Sequence, residues 1–215
     1  MTTKDRILNA AERLFAQNGV EATSLRSITT QASVNLAAVN YHFQSKESLI
    51  HAVIARRLDP VNEQRLAMLD ACEAAAGDGP LPLEPVLDAL LRPIFEMLSG
   101  QAKEFTPIMG RIFTESAELT EKVFQKHLAH VARRFMPAFQ RALPDLPPVE
   151  LLWRLQFVFG VMSHTMGAGR IVQFISKGQC DTTDVEATVK RVETFLLAGL
   201  RAPVPAPAEV EHAAH

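Results

Sequence analysis

Asn40, Tyr41, His42 and Lys46 stand close together and carry the hydrogen-bonding groups that nucleic acid can meet. The Asn40 amide pairs a donor with an acceptor, matching N6 and N7 on the major-groove edge of adenine. Tyr41 and His42 suit phosphates or flanking bases. Lys46 opens a helix, where free N–H groups and the helix dipole also favour a phosphate. Ala37 and Ala38 are small enough to let a helix sit close and to meet thymine methyls. Ser24, Arg26 and Thr30 add polar groups just upstream. Other chemistry is sparse. There is no Gly-rich phosphate loop, no G-x-S-x-G and no H-E-x-x-H. His127 and His130, at i and i+3, share a helix face that could ligate a metal, but no Glu-x-x-His repeats on another helix as di-metal bundles need. Cys72 and Cys180 are far apart and read as reduced thiols. The chain therefore reads as a non-enzyme with no catalytic residue, metal or cofactor.

The polar groups are positioned by two short helical patterns joined by a tight turn. The first runs from Leu25 to Ala32 and is capped by Thr23 or Ser24. Ala32-Ser33-Val34 is the break. Asn35 caps the second, Leu36 to Phe43, whose inner face is Leu36, Val39 and Phe43. About eight residues make a helix about 12 Å long, matching a major groove about 12 Å wide. This is the pattern of a helix-turn-helix whose second helix enters the groove. An amphipathic helix from Lys4 to Asn18 precedes it, stopped at Gly19. Ser45 caps a fourth helix, and Pro60 predicts a kink there, or a restart capped by Asp59.

Residues 4–55 resemble the DNA-binding domain of the TetR family of bacterial repressors. The resemblance rests on Ile7-Leu8, Ala10-Ala11, Leu14-Phe15, Gly19, Thr23, Leu25 to Ile28, Val34-Asn35, and Tyr41-His42-Phe43-x-Ser45-Lys46-Glu47-x-Leu49. It implies that Tyr41, His42 and Lys46 contact DNA and that the last two helices form a four-helix interface with a second copy. Two positions depart from the family pattern: Asn40 where tyrosine is common, and Ser33 where the turn usually has glycine. A left-handed Ser33 costs on the order of 1 kcal/mol against glycine. Asn35 to Phe43 and Leu146 to Arg154 are further similar to the PsrA-type branch, which responds to long-chain fatty acids.

Composition bounds the rest. The chain has 215 residues, 47% of them hydrophobic, and a net charge of −2. Residues 1–50 hold five basic and four acidic side chains, and the remainder 17 and 20, so a mildly basic head joins a mildly acidic body. Strand signals are scarce and helical periodicity is pervasive, giving an all-α chain of about nine helices. Residues 1–46 read as the DNA-binding head, 47–201 as a ligand-binding and dimerisation body, and 202–215 as a disordered Pro-, Ala- and Glu-rich tail. The apolar run from Leu151 to Met166 is broken by Arg154, Gln156 and His164. It is short for a bilayer span, so a cytoplasmic location without membrane association follows.

Residues 149–168 are apolar almost all round, which predicts a core helix that also meets a second subunit. Trp153 suits an interface anchor or a core tryptophan, and Phe157, Val185, Val192 and Phe195 are further interface candidates. An apolar effector, a fatty acid or acyl derivative, would find flexible walls in Met97, Phe105, Met109, Phe113, Phe157, Val161 and Met162, although Met and Phe at helical spacing are more often core than pocket. A carboxylate head would seek Arg111, Arg134, His127 or His164. The expected function is a homodimeric, ligand-responsive repressor on a double-stranded operator. The alternative is a dimerising adaptor that does not bind DNA.

Overall fold

The computed structural model describes residues 1–99, 105, 108, 117–167 and 169–204. Among these every regular element is helical. Helix α1, Thr3–Asn18, begins at a reciprocal cap in which Thr2 accepts from the Asp5 N–H and Asp5 accepts from the Thr2 N–H. Its inner face buries Ile7, Leu8, Ala11, Leu14 and Phe15. Gly19 ends it with φ 88°, a conformation that glycine supplies without a Cβ penalty.

Helices α2, Leu25–Ala32, and α3, Leu36–Phe43, follow. Ile28, Ala32, Val39 and Phe43 turn inward to the α1 core. Leu36 does not. It is 50% exposed, because it occupies the first position of α3, beyond the reach of α1.

Helix α4, Lys46–Ala76, is capped by Ser45 and runs for 31 residues, or about 46 Å, from head to body. Neither a break nor a restart occurs at Pro60. Asp59 and Pro60 both stand on the exposed side, where the carbonyl left without its donor can take water.

Helix α5, Leu83–Ser99, lies at the centre of the body against α4. It buries Val86, Leu87, Leu91, Ile94 and Phe95. Helix α6, Ala117–Val123, continues into α7, Ala129–Ala142, through a π-helical turn at Phe124–Leu128. The wider turn adds a residue to the period. It leaves Phe124 at the surface and brings His127 inside. Pro137 lies within α7.

Helix α8, Pro148–Gly167, is followed by the short α9, Gly169–Ile175, and by α10, Val185–Arg201. Asp184 caps α10 by accepting from the Ala187 N–H, while Thr183 bonds back to Asp181. Between α5 and α6 only Phe105 and Ile108 are among the described residues, and both are buried. Most of the expected tail, residues 205–215, lies outside the described residues.

Candidate nucleic-acid interface

The turn between α2 and α3 depends on one strained residue and one guanidinium. Ser33 takes the left-handed conformation, φ 51° and ψ 50°, where a glycine would cost less. Arg6, from α1, donates through Nη2 to the carbonyls of Ala32 and Ser33, both at 2.6 Å. The C-terminal carbonyls of α2 thus gain a cationic donor, which favours their partial negative charge. Thr23 is buried and donates to the carbonyls of Gly19 at 2.7 Å and Leu14 at 3.2 Å. That leaves the α2 cap to Ser24, which accepts from the Ser27 N–H at 3.0 Å. Asn35 caps α3 by accepting from Ala38 N–H at 2.8 Å.

This framework leaves one face of α3 in solvent. Ala37, Asn40 and Tyr41 are exposed, Tyr41 at 83%. Ala38 and His42 are half-buried, and the His42 ring meets Tyr41 edge-on at 5.1 Å. Ser24 and Arg26 are exposed on the α2 side. Lys46 Nζ donates 2.9 Å to the Glu21 carbonyl, which holds the ammonium beside the loop before α2. All eight residues read from the sequence as DNA contacts therefore have surface on the head.

The head is clamped to the long helix. Glu12, buried on α1, accepts from Arg57 Nε at 2.9 Å and also bonds Arg56, both on α4; Arg56 donates 2.7 Å to Asn9 as well. About one and a half turns earlier on α4, His51 Nδ1 meets His127 Nε2 at 3.0 Å, and both rings are buried. Burial, and then the neighbouring His51, push the His127 pKa down to about 4; burial and Lys126 lower His51. Glu47, Lys122, Lys126, Asp59 and His130 supply the charges around the pair.

The sign of this linkage is fixed. Between about pH 4 and the ordinary histidine value, an unfolded His127 binds a proton that the folded one refuses. His127 therefore contributes stability that is full above about pH 6.5 and lost as the pH falls toward 4, on the order of 2–3 kcal/mol. Glu193 slopes the other way, since burial and its Asp88 partner raise its carboxyl to about 7. Urea denaturation at pH 7 and pH 5 should show a larger acid loss in the wild type than in His127→Gln. Equal losses would mean that the ring is protonated without cost.

The residues expected to line an effector pocket are only partly brought together. Phe105 is buried, and Met97 and Val161 are half-buried against the core. His127 is committed to His51. Phe157 is 60% exposed and His164 is exposed, so neither lines an enclosed pocket within the subunit. Arg134 is paired at the surface with Asp70 and Glu73. Met109, Arg111 and Phe113 lie outside the described residues.

Among the interface candidates, Trp153 is 58% and Phe195 67% exposed, so Trp153 is not a core tryptophan. Val192 is buried in the subunit's own core, and Val185 is half-buried against it, because both lie on the inner face of α10. No group of three His, Cys, Asp or Glu able to hold a metal occurs among the described residues, nor does a helix long and apolar enough to cross a membrane.

Arg6, the Glu12 clamp, the His51–His127 pair and Arg65 were not singled out from the sequence. Only Arg65 carried a signal, as a charge on the apolar stripe that includes Leu58, Val61 and Leu69.

A three-helix head with a polar recognition face, joined through α4 to a helical body, is the architecture of a helix-turn-helix DNA-binding transcriptional regulator. The chain belongs to the TetR family. Residues 7–53 match the profile of bacterial regulatory proteins of that family, and residues 88–199, over half of the chain, match the tetracyclin repressor-like C-terminal domain. The transcriptional regulator UidR of Escherichia coli K12 is 23% identical over 180 residues, covering 77% of this chain and 92% of that protein. The probable regulator YttP of Bacillus subtilis 168 is 27% identical over 130 residues, 60% of this chain and 58% of that one. The fold is similar to that of the regulator FadR from Bacillus subtilis in complex with stearoyl-CoA. That match has a TM-score of 0.58 at 16% identity and covers 91% of this chain and 98% of that one.

Proposed function

We propose that the protein is a homodimeric repressor that leaves its operator when the body takes up a fatty acid or an acyl derivative. The observation that carries the reading is the clamp of Glu12 on Arg56 and Arg57. It makes α4 and the head one body, so an effector that moves α4 moves the recognition helix. Only differential affinity for the two α4 positions can drive the release. The stearoyl-CoA held by the FadR neighbour and the buried apolar residues of the body support the effector class. A two-fold pair of heads reads half-sites about 34–36 Å apart, and the exposed Trp153, Phe157 and Phe195 are suited to hold the pair together. The test is a gel shift on the chain's own upstream DNA, with and without oleate and stearoyl-CoA. A shift that neither compound reverses would remove the effector reading. No shift by an intact dimer would favour the adaptor alternative.

On this reading α3 supplies direct readout. Asn40→Ala should weaken the best operator by about 1–3 kcal/mol and relax preference at one base pair per half-site. Competition with operators changed one position at a time measures it. A uniform loss across all positions would move Asn40 to the phosphate contacts.

A further inference from the structure

Among the described residues, the buried Glu12 and Arg154 have partners of opposite sign and Arg65 does not. Glu12 has Arg56 and Arg57. Arg154 has Glu150, 3.0 Å away. Arg65, 3% exposed at the middle of α4, has no carboxylate among its contacts. Its Nε donates to the Leu90 carbonyl at 2.8 Å, Nη1 to Asn62 Oδ1 at 3.2 Å, and Nη2 to Met162 Sδ at 3.8 Å. All three acceptors are neutral, and a thioether is a weak one. Burial pushes the Arg65 pKa down to about 10, so the guanidinium still carries its charge at neutral pH.

A guanidinium taken out of water without a counter-charge is a large desolvation cost with little return. Packing does not require it. Arg65 occupies the apolar stripe of α4 between Val61 and Leu69, where methionine or leucine would fill the same space. What a leucine could not do is bind an anion. The weakest of the three contacts is also the easiest to exchange, because Met162 is unbranched and can swing its sulfur aside. That would free Nη2 for an oxygen of a carboxylate, the anion that a guanidinium fits best.

We propose that Arg65 anchors the carboxylate head of the effector, displacing the Met162 sulfur from Nη2. The proposal rests on the reading of the protein as an effector-responsive repressor and names the effector as a free aliphatic carboxylate. Arg65 joins three helices, through α4 itself, Leu90 on α5 and Met162 on α8. Its Asn62 partner also donates 2.8 Å to the His127 carbonyl in the π turn, where the His127 ring meets His51 on the head-proximal part of α4. An anion drawn to Arg65 therefore acts on a polar chain that runs along α4 toward the DNA-contacting head.

The experiment compares binding of free fatty acids from eight to eighteen carbons, their matched alcohols and oleoyl-CoA to the full-length protein, by calorimetry and by release of DNA. The wild type should prefer at least one acid over its alcohol by tenfold or more. Arg65→Met should fold, keep operator binding and lose that preference by holding acid and alcohol alike. Arg65→Lys should fall between, and it carries the test if the methionine variant does not fold. Oleoyl-CoA has a neutral thioester where the acid has its carboxylate, so the Arg65 substitutions should leave its binding unchanged. Three results would overturn the proposal: no acid bound by the wild type, equal binding of acids and alcohols, or an acid preference intact in both variants. The two readings fail separately. Arg65-dependent acid binding that never releases DNA would sink the repressor reading alone. Release by neutral compounds, unchanged in the variants, would sink the Arg65 anchor alone.

Discussion

On the proposed homodimeric reading, replacing Trp153 and Phe157 together by glutamate is expected to convert the protein to monomers and to abolish tight operator binding without unfolding it. The two rings lie one turn apart on α8, with centroids 6.3 Å apart, and each is more than half exposed in the subunit. Leu152 on the same helix and Phe195 on α10 extend the exposed apolar surface. Large aromatics desolvated at an interface centre commonly cost 2 kcal/mol or more each when removed. A buried unpaired carboxylate in their place adds its own desolvation cost. Even about 4 kcal/mol in total weakens the dimer about a thousandfold. The operator loss follows, because each head alone reads one short half-site. Light scattering at micromolar concentration and a gel shift measure the two effects. The melting temperature should fall only by what the lost dimer contributed, and the monomer should keep its helical content, since both side chains are more than half exposed within the subunit. A double variant that stays dimeric would place the partner surface elsewhere on the body.

How much of this was legible in the sequence differs between head and body for a physical reason. The head is built from short helices whose caps are local: Ser24, Asn35 and Ser45 each accept from an N–H three residues on. A reading by spacing therefore finds the boundaries of α2 and α3, and with them the outward face of the recognition helix. It placed Leu36 inside because helical periodicity has no knowledge of where the neighbouring helix ends. In the body the decisive contacts are distant in the chain. His51 meets His127 and Arg65 meets Met162, pairings that no local pattern encodes. The π turn was invisible for a related reason, since one added residue shifts Phe124 outward while leaving a plausible apolar stripe on paper. Pro60 reads as a kink or a restart, and of these the restart does not occur: on the exposed side of a 31-residue helix the lost hydrogen bond is tolerated and α4 runs on.

Glu12→Gln is expected to loosen the head from α4 and to destabilise it by about 2–3 kcal/mol. The Glu12 side chain is 4% exposed and is the carboxylate that Arg56 and Arg57 share. Removing one partner of a buried ion pair costs about 3–5 kcal/mol when the remaining charge stays buried. Here the two arginines are about a quarter exposed and can recover part of their hydration, so the cost falls below that range. Glutamine keeps the volume and one acceptor, which isolates the charge from packing. The effect should be local: α1 to α3 should lose hydrogen-exchange protection, while α5 and α10, which pack on each other, keep theirs. Function should separate in the same way. Operator binding persists with reduced affinity, since the α3 surface is intact, but effector binding in the body releases DNA less completely, because α4 no longer carries the head rigidly. A double-mutant cycle of Glu12→Gln with Arg57→Gln checks the assignment, with a coupling of about 1–3 kcal/mol expected for groups in direct contact. Additive losses, or full effector release in Glu12→Gln, would mean that the signal reaches the recognition helix by a route that bypasses the clamp.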